Sequence, residues 1–185
     1  ASINEVVIHG IPSSKQILKD GDIISIDIGA NYKGYHGDCA RTWPCGNVKS
    51  DRLKLIEVTE QSFFEGLKYA HPGNRLSDIS HAIEMYAKKF NYGVVRDFTG
   101  HGVGSKLHED PAVPNYGKEG MGPVLRKGMT LAIEPMINMG TYKVKILADG
   151  WTTITSDHSP SAHYENSIVI TDNGYEILTK IKEND

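Results

Sequence analysis

Apolar and polar positions alternate from Ile23 to Gly29, with Ile24, Ile26 and Ile28 in one phase and Ser25, Asp27 and Gly29 in the other. That two-residue period is the mark of a half-buried strand. Lys33-Gly34 follows where a tight reversal is needed, and the chain returns through Tyr35 to Trp43. The spacing predicts a hairpin with Tyr32 opposite Tyr35 and Asp27 opposite Ala40. Asp38 then lies diagonally from Asp27 on the same face, about 7–8 Å away. A bulged turn would flip that register.

The pattern predicts further elements on either side. Residues 2–9 read as a strand ended by Gly10-Ile11-Pro12, and Lys19-Asp20-Gly21-Asp22 reads as the turn feeding the hairpin. Ser50-Asp51 marks a helix start; Ile56, Phe63 and Leu67 keep near-helical spacing through Leu53 to Tyr69 until His71-Pro72-Gly73 ends it. A second helix takes Ser77 as its N-cap and carries an apolar stripe of Ile79, Ala82, Ile83, Tyr86 and Phe90. The second half predicts strands over 94–99, 130–139, 143–147, 152–156, 162–171 and 176–179, with a hairpin turn at Asp172-Asn173-Gly174. Strands in runs with grouped helices predict an α+β fold, mostly antiparallel, with the helices on one face of the sheet. Neither linker nor repeat interrupts the chain, so residues 1–185 read as one domain.

Composition narrows the function classes. The chain has 185 residues with 20 basic and 23 acidic side chains, a balance that does not suggest nucleic acid or membrane-surface binding. No apolar run reaches the length of a membrane span, and ASINEVVIHGIP lacks the basic end and apolar middle of a signal peptide. Cys39 and Cys45 have no CxxC spacing and read as reduced thiols of a cytoplasmic protein.

The candidate chemistry lies in acids set among apolar residues. Asp27 and Asp38 on one face repel each other unless a cation intervenes, and two divalent ions about 3.5–4 Å apart would serve. Taken alone, two solvated aspartates on a polar sheet face explain the pair as well. His101 sits between glycines in Phe98-Thr-Gly-His-Gly-Val-Gly-Ser-Lys-Leu-His108, a run without the Lys-Ser/Thr of a phosphate loop. Glu134 interrupts Leu131-Ala132-Ile133 just before Pro135, and Glu165 interrupts the apolar run of Tyr164 and Ile168-Val169-Ile170. A carboxylate buried in a sheet without a partner costs several kcal/mol. Jointly, four carboxylates and one histidine look like an oxygen-rich site for two ions.

With those five residues in that order and spacing, and with FTGHGVGSKLHEDPAVPNY over residues 98–116, the sequence resembles the type I methionine aminopeptidases from Ser2 to Ile181. These share the pita-bread fold with prolidase, aminopeptidase P and creatinase. The resemblance implies a curved, mostly antiparallel sheet with helices on its outer face. It implies removal of the initiator methionine from nascent polypeptides, with the ribosome as a candidate partner. Asp27 would hold one metal, Asp38 and Glu165 both, and His101 and Glu134 the other. Glu134 would also be general base toward the attacking water, His108 would hydrogen-bond the scissile carbonyl, and His9 would contact the peptide near its scissile amide. Trp151 and Leu107 match positions near the methionine pocket. The ions implied are two of Mn, Fe, Co, Ni or Zn, with Mn(II) or Fe(II) expected in the cell. A monovalent cation, sodium or potassium, is a further candidate near the backbone of Asn4 and Val6 with Ser161.

One departure bears on activity. Relatives of this kind carry two helices and a strand before the equivalent of Ala1, the pseudo-symmetric partner of Leu53 to Thr99, and that portion supplies part of the methionine pocket wall. The expectation is a fragment whose missing part is another chain or has been lost, so that activity of this chain alone is a separate question. Within the fold, an Xaa-Pro peptidase would use the same five ligands, but the further histidines around its site are not found here. Non-catalytic relatives that serve as binding modules typically lose ligands, and all five are present.

Overall fold

The computed structural model describes residues 1–180. Ile181, the end of the stretch that carries the resemblance, lies outside that range. The first elements are β1 (Ser2–Ile3), β2 (Val6–Ile8), β3 (Ile23–Tyr32) and β4 (Tyr35–Pro44), then helices α1 (Ser50–Leu67) and α2 (Leu76–Lys88). Short strands β5 (Gly93–Val94), β6 (Gly100–Gly102) and β7 (Glu109–Val113) follow, then β8 (Thr130–Ile133) and β9 (Met136–Asn138). The chain closes with β10 (Val144–Ile146), β11 (Thr153–Thr155), β12 (Ser161–His163), β13 (Glu165–Ile170) and β14 (Tyr175–Ile177). The main sheet runs β1-β3-β4-β13-β8-β6-β7, with β14 paired to β13; two three-stranded sheets, β10-β11-β2 and β12-β9-β5, complete the α+β fold.

The hairpin has the predicted register, Tyr32 against Tyr35 and Asp27 against Ala40. Lys33 at φ 51° and Gly34 at φ 84° make the two-residue turn, whose left-handed conformations match the twist of the strands it joins. Ile79 and Ile83 of α2 and Phe63 and Leu67 of α1 pack against Leu131, Ile133, Ile168 and Ile170 of the central strands. Each of those strand pairs is two residues apart, so the helices cover one face and the other is left for chemistry.

Several boundaries differ from the pattern: of the strand predicted over 94–99 only Val94 lies in β5, and 95–99 run without strand structure to β6. Residues 2–9 form two strands in different sheets, because Asn4 takes φ 53° and turns the chain. Ser77 is not the N-cap: its hydroxyl donates to the Met121 carbonyl at 2.8 Å, and the helix begins at Leu76 with the Asp78 carboxylate accepting the Arg75 N–H at 2.8 Å. The run 130–139 breaks at Glu134-Pro135, and 162–171 breaks at Tyr164, each passing from one sheet to another. The breaks meet, Tyr164 donating its N–H to the Pro135 carbonyl at 3.2 Å.

Candidate metal centre

Both sheet-switch points carry a glutamate. Glu134 lies between β8 and β9, and Glu165 opens β13 just after the chain leaves β12. Residues directly opposite across a ladder share a face. Asp27 pairs with Ala40, and Ala40 pairs with Glu165, so the two acids flank one alanine across three strands. In the neighbouring row Asp38 faces Gly29, while His101 and Ser167 both face Ala132. Within that row the Ser167 hydroxyl accepts the Asp38 N–H at 2.8 Å and donates to the Asp38 carbonyl at 3.0 Å. Gly29, Ala40, Ala132 and Ser167 are small, which leaves the acids room to converge.

His101 reaches this face because its flanking residues lack side chains. A Cβ on Gly100 would strike the Ala132 carbonyl and one on Gly102 the Asp110 carbonyl, so β6 fits between its neighbours only with glycine there. The His101 Nδ1 lies 2.9 Å from the Gly102 carbonyl, an acceptor, and therefore carries the proton. Its Nε2 turns a lone pair toward the acids, 3.8 Å from Asp38 Oδ2 and 3.6 Å from Glu134 Oε1.

Eight of the nine residues singled out from the sequence line one cleft of about 240 Å³: His9, Asp27, Asp38, His101, His108, Glu134, Trp151 and Glu165. Leu107 stands beside it, its side chain over Gly29. The rings of His101 and His108 are 4.3 Å apart, and His9 stacks on Trp151 at 4.4 Å with Phe98 edge-on. At the suggested monovalent site, the Asn4 carbonyl accepts the Ser161 N–H at 2.8 Å, while the Ser161 hydroxyl meets Asn138 Oδ1 at 2.8 Å.

Burial and mutual repulsion dominate the electrostatics. The Asp38 carboxyl is pushed up to about 6 by burial first, then by Asp27 and Glu134. Glu165 is raised well above the usual range by burial, with Glu134 and Asp38 next. Burial lowers His9, favouring its neutral ring. Glu165 Oε1 is buried without a hydrogen-bond partner among the described residues. Cation-ligating atoms come within 4.8 Å of one another in two overlapping sets, Asp38-His101-Glu165 and Glu134-His163-Glu165. Hard carboxylate oxygens with a bare imidazole nitrogen, closely packed and otherwise unneutralised, fit divalent cations.

Three supporting residues escaped the sequence reading. Arg41 donates to the Glu165 carbonyl and to Asn166 Oδ1, and lies 4.0 Å over the Tyr164 ring, clamping the backbone that presents Glu165. Asn115 donates to the Glu134 carbonyl at 2.9 Å. His163 is buried with Nε2 3.4 Å from Glu134 Oε2. Nothing in local periodicity marks Arg41 or Asn115. His163 offered one clue, an imidazole two residues before a suspected ligand.

A methionine aminopeptidase of Clostridium acetobutylicum is 58% identical over 96% of this chain and 71% of its own length. The crystal structure of a methionine aminopeptidase from Thermotoga maritima superposes with a TM-score of 0.95 at 49% identity, covering 97% of this chain and 72% of that one. A prolidase from Pyrococcus horikoshii shares the architecture less closely, with a TM-score of 0.73 at 26% identity over 99% of this chain and 48% of that one. The profile of Metallopeptidase family M24 matches residues 1–172. The α+β fold is the pita-bread architecture of these methionine aminopeptidase structures, and the chain belongs to metallopeptidase family M24.

Proposed function

We propose that this chain is a metal-dependent aminopeptidase that removes an N-terminal methionine from polypeptides, acting as one metallopeptidase domain. The observation that carries the reading is the convergence of Asp38, Glu165 and His101 on one buried point, where Glu165 Oε1 has no other partner among the described residues. Asp27, Asp38 and Glu165 would hold one divalent ion, and Asp38 and Glu165 with His101 and Glu134 would hold the other. Candidates are Mn, Fe, Co, Ni and Zn, with Mn(II) or Fe(II) the cellular choice; a sodium or potassium ion near Asn4, Val6 and Ser161 belongs to the same reading. When bound, the divalent ions supply Lewis acidity and lower the pKa of water.

The protein's own groups do the remaining work. Glu134 takes the proton of the attacking water and returns it to the departing amine. His108, exposed at the mouth beside His101, donates to the scissile carbonyl oxygen as charge develops on it. His9, held against Trp151 and Phe98, orients the scissile amide. Trp151, Leu107 and Phe98 offer the apolar surface that a methionine side chain fills. The natural substrates are nascent chains beginning with Met, and the ribosome that presents them is the candidate partner. No helix among the described residues is long and apolar enough to cross a membrane.

Turnover of a Met-Ala-Ser peptide against an Ala-Pro peptide, with each divalent ion in turn, tests this. Release of methionine from the first with little cleavage of the second is expected. Preference for Ala-Pro would move the chain to the proline-directed branch of the fold.

A further inference from the structure

His163 ends β12 and is 1% exposed, and its Nε2 has no hydrogen-bond partner among the described residues. That nitrogen lies 3.4 Å from Glu134 Oε2, while His101 Nε2 lies 3.6 Å from Glu134 Oε1. Two imidazoles thus bracket the two oxygens of one carboxylate. They are not equivalent. The Gly102 carbonyl keeps the proton of His101 on Nδ1, which leaves its Nε2 bare for a cation. His163 Nε2 faces a carboxylate oxygen, and a ring nitrogen meets such an oxygen favourably only as an N–H.

The backbone of His163 is held independently of Glu134. Thr42 Oγ1 accepts its N–H at 2.8 Å and donates to its carbonyl at 2.9 Å, and that hydroxyl is 2.8 Å from Ser25 Oγ. The imidazole therefore rises from a fixed floor between two clefts, lining the one that also contains His9, Asp27 and Trp151. We infer that His163 is a positioning residue: its Nε2–H donates to Glu134 Oε2 and holds the carboxylate with Oε1 toward His101 and the reacting atoms. At 3.4 Å the pair stands just outside hydrogen-bond range, and a small shift of either side chain closes the bond. The inference rests on the proposed role of Glu134 as base.

The test compares wild type with His163→Ala, His163→Asn and His163→Gln. It reads kcat and KM on Met-Ala-Ser and, separately, the number of Mn(II) ions bound by calorimetric titration. Outer hydrogen-bond partners of this kind are worth about 10- to 100-fold. His163→Ala and His163→Asn, which cannot reach Oε2, are expected to lose that much kcat with KM nearly unchanged and the ion count intact. His163→Gln, whose amide N–H reaches the same oxygen, is expected to recover most of the loss; should the alanine variant not fold, the Asn and Gln pair carries the comparison. Wild-type kcat in the Asn variant, no recovery with Gln, or loss of an ion on replacing His163 each overturns the inference. A wild-type chain without turnover overturns the aminopeptidase reading and this inference with it, whereas wild-type turnover unaffected in the variants overturns the inference alone.

Discussion

Asp27 and Glu165 stand either side of the same alanine, yet one is exposed and the other buried. Asp27 lies on β3, whose outer edge, among the described residues, pairs with Ser2–Ile3 of β1 at Ser25 and Ile24. Glu165 lies on β13, which has β4 on one side and β8 on the other. Position in the sheet, more than residue type, sets what each carboxylate needs. An exposed aspartate satisfies itself with solvent and stands without an ion. A buried glutamate among other acids needs either a proton or a cation. The cleft therefore has an open hairpin side and a closed central side, where burial raises Asp38 and Glu165.

The largest effect is expected on the closed side. Glu134→Gln keeps the shape of the side chain and removes its basicity, and loss of a positioned general base costs about 10²–10⁴-fold. Steady-state turnover on Met-Ala-Ser at saturating Mn(II) is expected to fall by that amount; near-normal kcat would take proton transfer away from Glu134. His108→Ala, at the mouth, is expected to cost about 10²-fold in kcat, as removal of a donor to a developing oxyanion does. Calorimetry should find the His108 variant's ion count unchanged, since that ring is exposed beside the cluster and not within it. A His108→Ala chain with normal kcat would remove the residue from the carbonyl role.

The smallest expected effect is one of pH on the metal-free chain. Asp38 in the folded state stands at about 6 against an ordinary 3.8, and Glu165 is raised as well. A folded-state pKa above the unfolded one means the folded chain binds the proton more tightly. For Asp38 this stabilisation is fully present below about 4 and is lost as pH rises through about 6, and Glu165 acts in the same direction. The metal-free chain should therefore melt at a higher temperature at pH 5 than at pH 7. Saturating divalent ion at pH 7 should abolish the deficit, because the cation replaces the proton. A metal-free Tm that is lower at pH 5 would show that these acids do not repel in the folded state.

The open side was the more legible in the sequence. The two-residue turn at Lys33-Gly34 dictates a register, and the register alone puts Asp27 against Ala40 and Asp38 on the same face. The closed side was harder. Thr130 to Met139 and Ala162 to Thr171 read as unbroken strands because their apolar residues continue through the breaks. Pro135 warned of one break, but Tyr164 carries no such mark, since its N–H is satisfied by Pro135, distant in sequence. His163, Arg41 and Asn115 act on Glu134 and Glu165 through contacts between segments, which no local period encodes. Four carboxylates and a histidine suggested two ions; resemblance named their roles; only the fold supplied the residues that hold them in place.

The proposed two-ion site spans both sides of the cleft, and counting bound ions tests it. Calorimetric titration of the metal-free chain with Mn(II) is predicted to show two ions per chain, falling to one in Asp27→Asn as the open side loses its ligand while the closed side keeps Asp38, His101, Glu134 and Glu165. A wild-type chain that binds a single ion, or an Asp27→Asn variant that still binds two with wild-type affinity, would contradict it.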